Sequence, residues 1–95
     1  MPFRRGRSVR ALRSARILNE VVETQLPLIS NLPADSRRRA SDYLAELVML
    51  SQAYRHYAAG WISRRELERR GVVAMERMST LRRPSAEAPQ FTEQD

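Results

Sequence analysis

Apolar residues recur at steps of three and four along three stretches of the chain, and the longest stretch lies at its centre. Between Pro33 and Gly60 the positions Ala40, Tyr43, Leu44, Leu47, Tyr54, Tyr57 and Ala58 follow the spacing that stacks side chains on one face of an α-helix. No glycine or proline interrupts them. At 1.5 Å per residue a helix of this length reaches roughly 35 to 40 Å. Adding Val48, Leu50 and Trp61 widens the apolar arc to about half of the helix circumference, more than one neighbouring helix covers. The central helix is therefore expected to serve two partner surfaces.

A first amphipathic helix is expected from about residue 8 to residue 30, with Ala11, Ala15, Leu18, Val22, Leu26 and Ile29 on its stripe and Arg13, Arg16, Glu20 and Glu23 on its outer face. Pro27 falls one turn from the end of this pattern, where it is expected to kink or stop the helix around Leu26. Ser30-Asn31-Leu32-Pro33 reads as a short connection, which makes the first two helices antiparallel. Gly60 stands where a helix C-cap glycine belongs, and Ser63-Arg64-Arg65-Glu66 has the S-x-x-E form of a capping box, with Ile62 and Leu67 placed as its hydrophobic staple. A third helix then carries Leu67, Ala74, Met78 and Leu81 on one stripe, with Gly71 where a neighbouring backbone can come close.

These elements predict an all-α fold. A helical hairpin of residues 8–30 against 34–59 is joined by a third helix, 63–82, which either packs on the hairpin or is exchanged with a partner subunit, making a three-helix bundle around a long central helix. Residues 1–7 are expected as a flexible basic arm, 8–83 as a single helical domain, and 84–95, polar, acidic and anchored only by Phe91, as a disordered tail.

Composition narrows the chemistry. The chain has 95 residues and no cysteine, so disulfides cannot reinforce its thin core, and with one histidine, His56, it lacks a thiolate or poly-histidine metal site. No run approaches the 18 apolar residues of a membrane span, and the chain after Arg16 carries acids where an export signal needs an apolar segment. A cytoplasmic location is expected. The net charge of +6 comes from 17 basic residues, all of them arginine, which matches a GC-rich bacterial or phage codon bias as well as a phosphate-binding role. Its distribution is more informative. Residues 1–16 hold six arginines and no acid, residues 17–83 hold eleven arginines against eight acids, and residues 84–95 hold three acids.

No motif points to an enzyme. Gly6, Gly60 and Gly71 are too scattered for a phosphate-cradling loop, serine-nucleophile motifs are missing, and His56 is expected to face solvent on the side of the helix away from the apolar stripe. Asp42 and Glu46 read as a plain solvated face, and Arg38 and Arg39 as surface partners of Asp42. Cofactors and small-molecule substrates are not expected. The aromatic stripe of Tyr43, Tyr54, Tyr57 and Trp61 fits core or protein interface better than base stacking. The expected function is accordingly that of a small regulatory or adaptor protein. It binds another protein through an apolar and aromatic helix face, antagonism of a transcription factor being one version. Leu50, Tyr54, Tyr57 and Trp61, left over once the first helix is packed, are expected at a protein interface, including that of a homodimer with the central helix in it. The alternative is a nucleic-acid-binding accessory protein. It would use the head, where Arg4, Arg5, Arg7, Arg10 and Arg13 can neutralise phosphates, or, less well, residues 57–81 as a helix-turn-helix mimic, whose arginines alternate with Glu66 and Glu68.

Overall fold

The computed structural model describes residues 2–82, with side chains from Ser8 onward. They form three α-helices and no strand: α1 (Pro2–Ile29), α2 (Ala34–Ala58) and α3 (Arg64–Leu81). The all-α expectation holds, and the bounds of α2 and α3 fall within one residue of those expected. Residues 2–7, expected as an arm ahead of the domain, continue α1 at its N-terminus. The expectations for residues 84–95 and for the side chains of Arg4, Arg5 and Arg7 lie outside the described residues.

Pro27 neither stops nor ends α1, which runs through it to Ile29. Pro27 lacks the amide that would donate to the Glu23 carbonyl, so the helix loses that bond. The last turn is held instead by burial of Ile29, by the Ser30 Oγ donating to the Pro27 carbonyl at 3.0 Å, and by the Leu32 amide donating to the Ile29 carbonyl at 2.9 Å. Pro33 then takes the N-cap position of α2 with an extended ψ of 158°, and its carbonyl accepts from the Arg37 amide at 2.7 Å. The chain has reversed within four residues.

Along α1 the side chains turned to α2 are Ser8, Ala11, Ala15, Leu18, Val22 and Ile29, a strict alternation of three and four that passes through position 25 rather than 26. Leu26, expected on this stripe, is exposed for that reason. On α2 the matching series is Ala40, Leu44, Leu47, Ser51, Tyr54 and Ala58. Two hydrogen bonds fix how the series meet. The Ser51 Oγ donates to the Ala15 carbonyl at 3.2 Å, and the Ser8 Oγ donates to the Ala58 carbonyl at 3.1 Å. From one bond to the other, seven residues are lost on α1 while seven are gained on α2, which is the repeat of an antiparallel coiled-coil seam. At this end the seam is built of alanine and serine, which let the helix backbones come close. Toward the other end Leu18, Val22, Ile29, Leu44 and Leu47 fill a wider gap and form the core.

The turn into α3 is set by its own residues. Gly60 has φ +83°, the Trp61 amide donates to the His56 carbonyl at 2.8 Å and the Gly60 amide to the Tyr57 carbonyl at 3.0 Å, the paired bonds of a Schellman motif. Ser63 then caps α3, its Oγ accepting from the Glu66 amide at 3.0 Å. The chain therefore folds back as a hairpin, and α3 lies along α2 with Ala74 and Met78 joining the core cluster.

Two stability outcomes follow. Ser51 is 1 % exposed, so Ser51→Leu should force α1 and α2 apart and cost about 1–3 kcal/mol in urea unfolding, whereas Ser51→Ala should cost about 1 kcal/mol or less. Equal stability of the leucine variant would contradict the close seam. Gly60→Ala should cost roughly 1–2 kcal/mol from the left-handed backbone alone, because a Cβ there meets nothing within 4 Å.

Candidate protein-binding face

Since α1 and α3 are each antiparallel to α2, they run parallel to one another. They occupy adjacent flanks of α2 and barely touch each other. In a square four-helix arrangement, with α2 at one corner and α1 and α3 at its two neighbours, the corner diagonal to α2 would be empty. The space shows as a cleft between α1 and α3 with α2 as its floor. At one end, a cavity of about 380 Å³ is lined by Arg10 and Ser14 of α1, Tyr54 and Tyr57 of α2, and Arg64, Leu67, Glu68 and Gly71 of α3. At the other, a more apolar cavity of about 440 Å³ is lined by Val21, Leu28 and Ile29 of α1, Tyr43, Leu44 and Leu47 of α2, and Leu81 and Arg82 of α3, with Leu32 and Arg39 at its mouth. Helical spacing joins the two ends. Ile17 falls between Ser14 and Val21 on the wall formed by α1, and Met75 falls one turn beyond Gly71 on the wall formed by α3. Ile17 is 53 % exposed, Leu28 57 % and Met75 57 %.

Charge is arranged differently on the two walls. On α3 three of the five arginines are paired within the helix: Glu66 accepts from Arg69 at 2.6 Å and from Arg70 at 2.9 Å, and Arg64 pairs with Glu68 at 3.3 Å. The two guanidiniums hold the Glu66 carboxyl down at about 2, the hydrogen bond from Arg69 contributing most. Glu66 therefore makes only half of a capping box. Its amide reaches Ser63 but its carboxylate turns to the arginines. On α1, by contrast, Arg10, Arg13 and Arg16 have no ion-pair partner among the described residues.

The four residues expected at an interface are placed unequally. Leu50, Tyr54 and Tyr57 are half-buried, because α3 takes the flank of α2 that α1 leaves open; Tyr54 and Tyr57 line the cleft, and Tyr57 also lines a cavity at the α2–α3 turn. Trp61, at the α2–α3 turn, is 74 % exposed, its ring 5.2 Å from that of His56 and tilted by 38°. His56 is half-buried rather than solvent-facing, for it lines the opposite groove between α2 and α3 with Met49, Arg70 and Val73. Glu46 is not on a solvated face either. Its side chain is 13 % exposed, 3.8 Å from Arg77 of α3. Asp42 forms no ion pair with Arg38 or Arg39 among the described residues, where Arg37 bonds the Leu32 carbonyl at 3.0 Å and Arg39 the Ser36 Oγ at 3.5 Å. Arg10 and Arg13, the described members of the expected nucleic-acid set, are exposed on α1. The expected close approach at Gly71 is not seen among the described residues, where a Cβ built there meets nothing within 4 Å.

The cleft walls escaped the sequence reading, although a signal for one exists. Ser14, Ile17, Val21 and Leu28 form a second series at steps of three, four and seven on α1, beside the one that meets α2. No family model, no curated protein and no solved structure matches the chain. No helix among the described residues is long and apolar enough to cross a membrane.

The electrostatics of α3 predict an acid-sensitive first turn. The Glu66 pKa is lower folded than unfolded, so its contribution to stability is complete above the unfolded value of about 4.5 and is lost as pH falls toward 2. A carboxyl titration by NMR should place Glu66 well below the other glutamates, and Arg69→Ala should raise it. A Glu66 midpoint near 4.5 in the intact protein would refute the arrangement.

Proposed function

We propose that this protein is a small regulatory or adaptor protein that works by binding another protein, and that the cleft between α1 and α3 is the surface it uses. The observation carrying this reading is the unoccupied helix position opposite α2, with apolar side chains on both of its walls and aromatic and aliphatic residues on its floor. Monomeric proteins seldom leave a contiguous apolar face of this kind uncovered. A groove walled by two parallel helices suits an amphipathic helix of a partner, whose apolar residues at three and four spacing would enter between Ile17, Val21 and Met75. Tyr54 and Tyr57 give that groove aromatic anchors of the type that dominates interface energetics. Masking a helical surface of a transcription factor is one form such binding would take. In this reading the chain is a binder, not a catalyst.

One observation favours nucleic acid as a second reading, namely the exposed Arg10, Arg13 and Arg16 on α1. The helix-turn-helix version over residues 57–81 is weaker, because Glu66 and Glu68 already occupy Arg64, Arg69 and Arg70.

Val21 and Met75 are exposed within the chain, so Val21→Glu and Met75→Glu should leave its helicity unchanged. Each should reduce retention of a bound partner protein by at least about ten-fold in a quantitative pull-down. Equal retention by both variants would end the proposal. Fluorescence anisotropy with duplex DNA separates the readings: if nucleic acid is the partner, affinity should fall steeply between 50 and 200 mM salt (titration points taken from the usual counterion-release range) and be indifferent to Val21→Glu.

A further inference from the structure

We infer that the partner covering this cleft is a second copy of the chain, joined by a two-fold axis normal to the helices so that α1 lies antiparallel to α1 and α3 antiparallel to α3, cleft facing cleft. The inference rests on the cleft being a protein-binding face and names what binds there.

Charge points to this occupant. The first 16 residues hold six arginines and no acid, while residues 17–36 hold Glu20, Glu23 and Asp35 and no arginine. The helix α1 is thus basic at one end and acidic at the other. Laid beside an identical helix in the same direction, it would set like charge on like. Laid antiparallel, it sets its basic half against the partner's acidic half. Centring the pair between Arg16 and Ile17, one residue from the midpoint of Pro2–Ile29, sets Arg13 level with the partner's Glu20, two residues seven apart and so on the same side of the helix. Ser14, Ile17 and Val21 then face the joint.

The helix register supplies an independent reason. Ser51 stands level with Ala15 through its hydrogen bond, and Glu46 stands level with Arg77. Five residues forward on α2, from 46 to 51, are five back on α3, from 77 to 72, so Val72 is level with Ser51 and hence with Ala15. Residue 72 is also the middle of Arg64–Leu81. One axis at about this level therefore passes near the middle of both helices, so that each can meet its symmetry copy along most of its length, with reciprocal contacts. At that level α3 presents exposed Val72 and half-buried Gly71, a mid-helix glycine that destabilises the helix by about 1 kcal/mol relative to alanine and where an added Cβ would meet nothing within 4 Å among the described residues.

Multi-angle light scattering of the full chain should give twice its mass of 11.0 kDa. Arg13→Glu and Glu20→Arg should each weaken self-association by about three- to ten-fold, from two symmetric repulsions at the strength of exposed ion pairs. The double variant should restore it, and since residues 13 and 20 lie two helical turns apart, no intrahelical contact explains such rescue. A folded monomer at 100 µM (a concentration chosen at about the upper end of the usual range for weak interfaces), or single variants without effect, or a double variant without rescue, would overturn the self-pairing. If the chain is monomeric yet Val21→Glu still abolishes partner capture, only the self-pairing fails. If that substitution changes nothing, the protein-binding reading fails with it.

Discussion

The close approach of α1 and α2 at Ala15 and Ser51 is the constraint from which the rest of the molecule follows. Both residues are 1 % exposed, and a hydroxyl buried to that degree must be satisfied. The carbonyl it finds belongs to the opposite helix, so the hydrogen bond can form only in one register. A slip by a turn would strand the Ser51 hydroxyl and press larger side chains into a gap sized for alanine. Leu18, Val22 and Ile29 then meet Leu44 and Leu47, and the seam widens into the only part of the structure where large aliphatic residues are packed together. The Ser51 bond thus sets more than stability. It decides which residues of α1 face α2, and so leaves Ser14, Ile17, Val21 and Leu28 on the side wall.

The position of α3 is settled by a different logic, local at its start and tertiary at its end. Gly60 and Ser63 turn the chain without help from the core, one through a left-handed backbone and the other through a side-chain cap. Glu66 and the arginines that follow it close the first turn. Beyond Gly71 α3 is tied into the core on α2, through Ala74, Met78 and the Glu46–Arg77 pair. Pairing three of its five arginines with its own glutamates leaves α3 less charge free for a partner, whereas Arg10, Arg13 and Arg16 of α1 have no ion-pair partner among the described residues. A surface that neutralises itself has little left for a partner, and one that does not is the better place to look for recognition.

The helices were legible in the sequence because each carries a local signal that needs no tertiary context. The three-four recurrence from Ala40 to Ala58 marked α2, and Gly60 with Ser63 marked the turn. The side chains misplaced by sequence reasoning all lie where a second helix covers what a wheel shows as an outer face. His56 and Glu46 were assigned to solvent because they lie far from the α1-facing stripe, and α3 packs over the groove they line. Leu26 was assigned to the seam by a pattern that tolerates steps of four and four, but an antiparallel seam alternates three and four and admits residue 25 instead. The Asp42 pairs failed because exposed arginines have several acceptors of similar worth, and spacing does not choose among them. The interface set of Leu50, Tyr54, Tyr57 and Trp61 assumed that a second apolar flank on α2 must look outward. It looks at α3, and the uncovered apolar surface moves to the walls of the cleft.

Two local penalties meet at the middle of that cleft. Gly71 weakens the helix it sits in, and no turn, cap or contact within the chain requires it. Ile17 and Met75, two and three residues beyond that level in the same direction, leave apolar surface in water that a polar residue would avoid. Each alone is unremarked in a small protein, since scattered exposed aliphatics and tolerated glycines are common. Their coincidence at one height, on the two walls of one groove and beside the point where the charge of α1 changes sign, is harder to assign to chance. A cleft whose α3 wall lacks a side chain near its centre, and whose α1 wall changes charge at about the same level, has the features that the proposed end-for-end pairing of two copies would use.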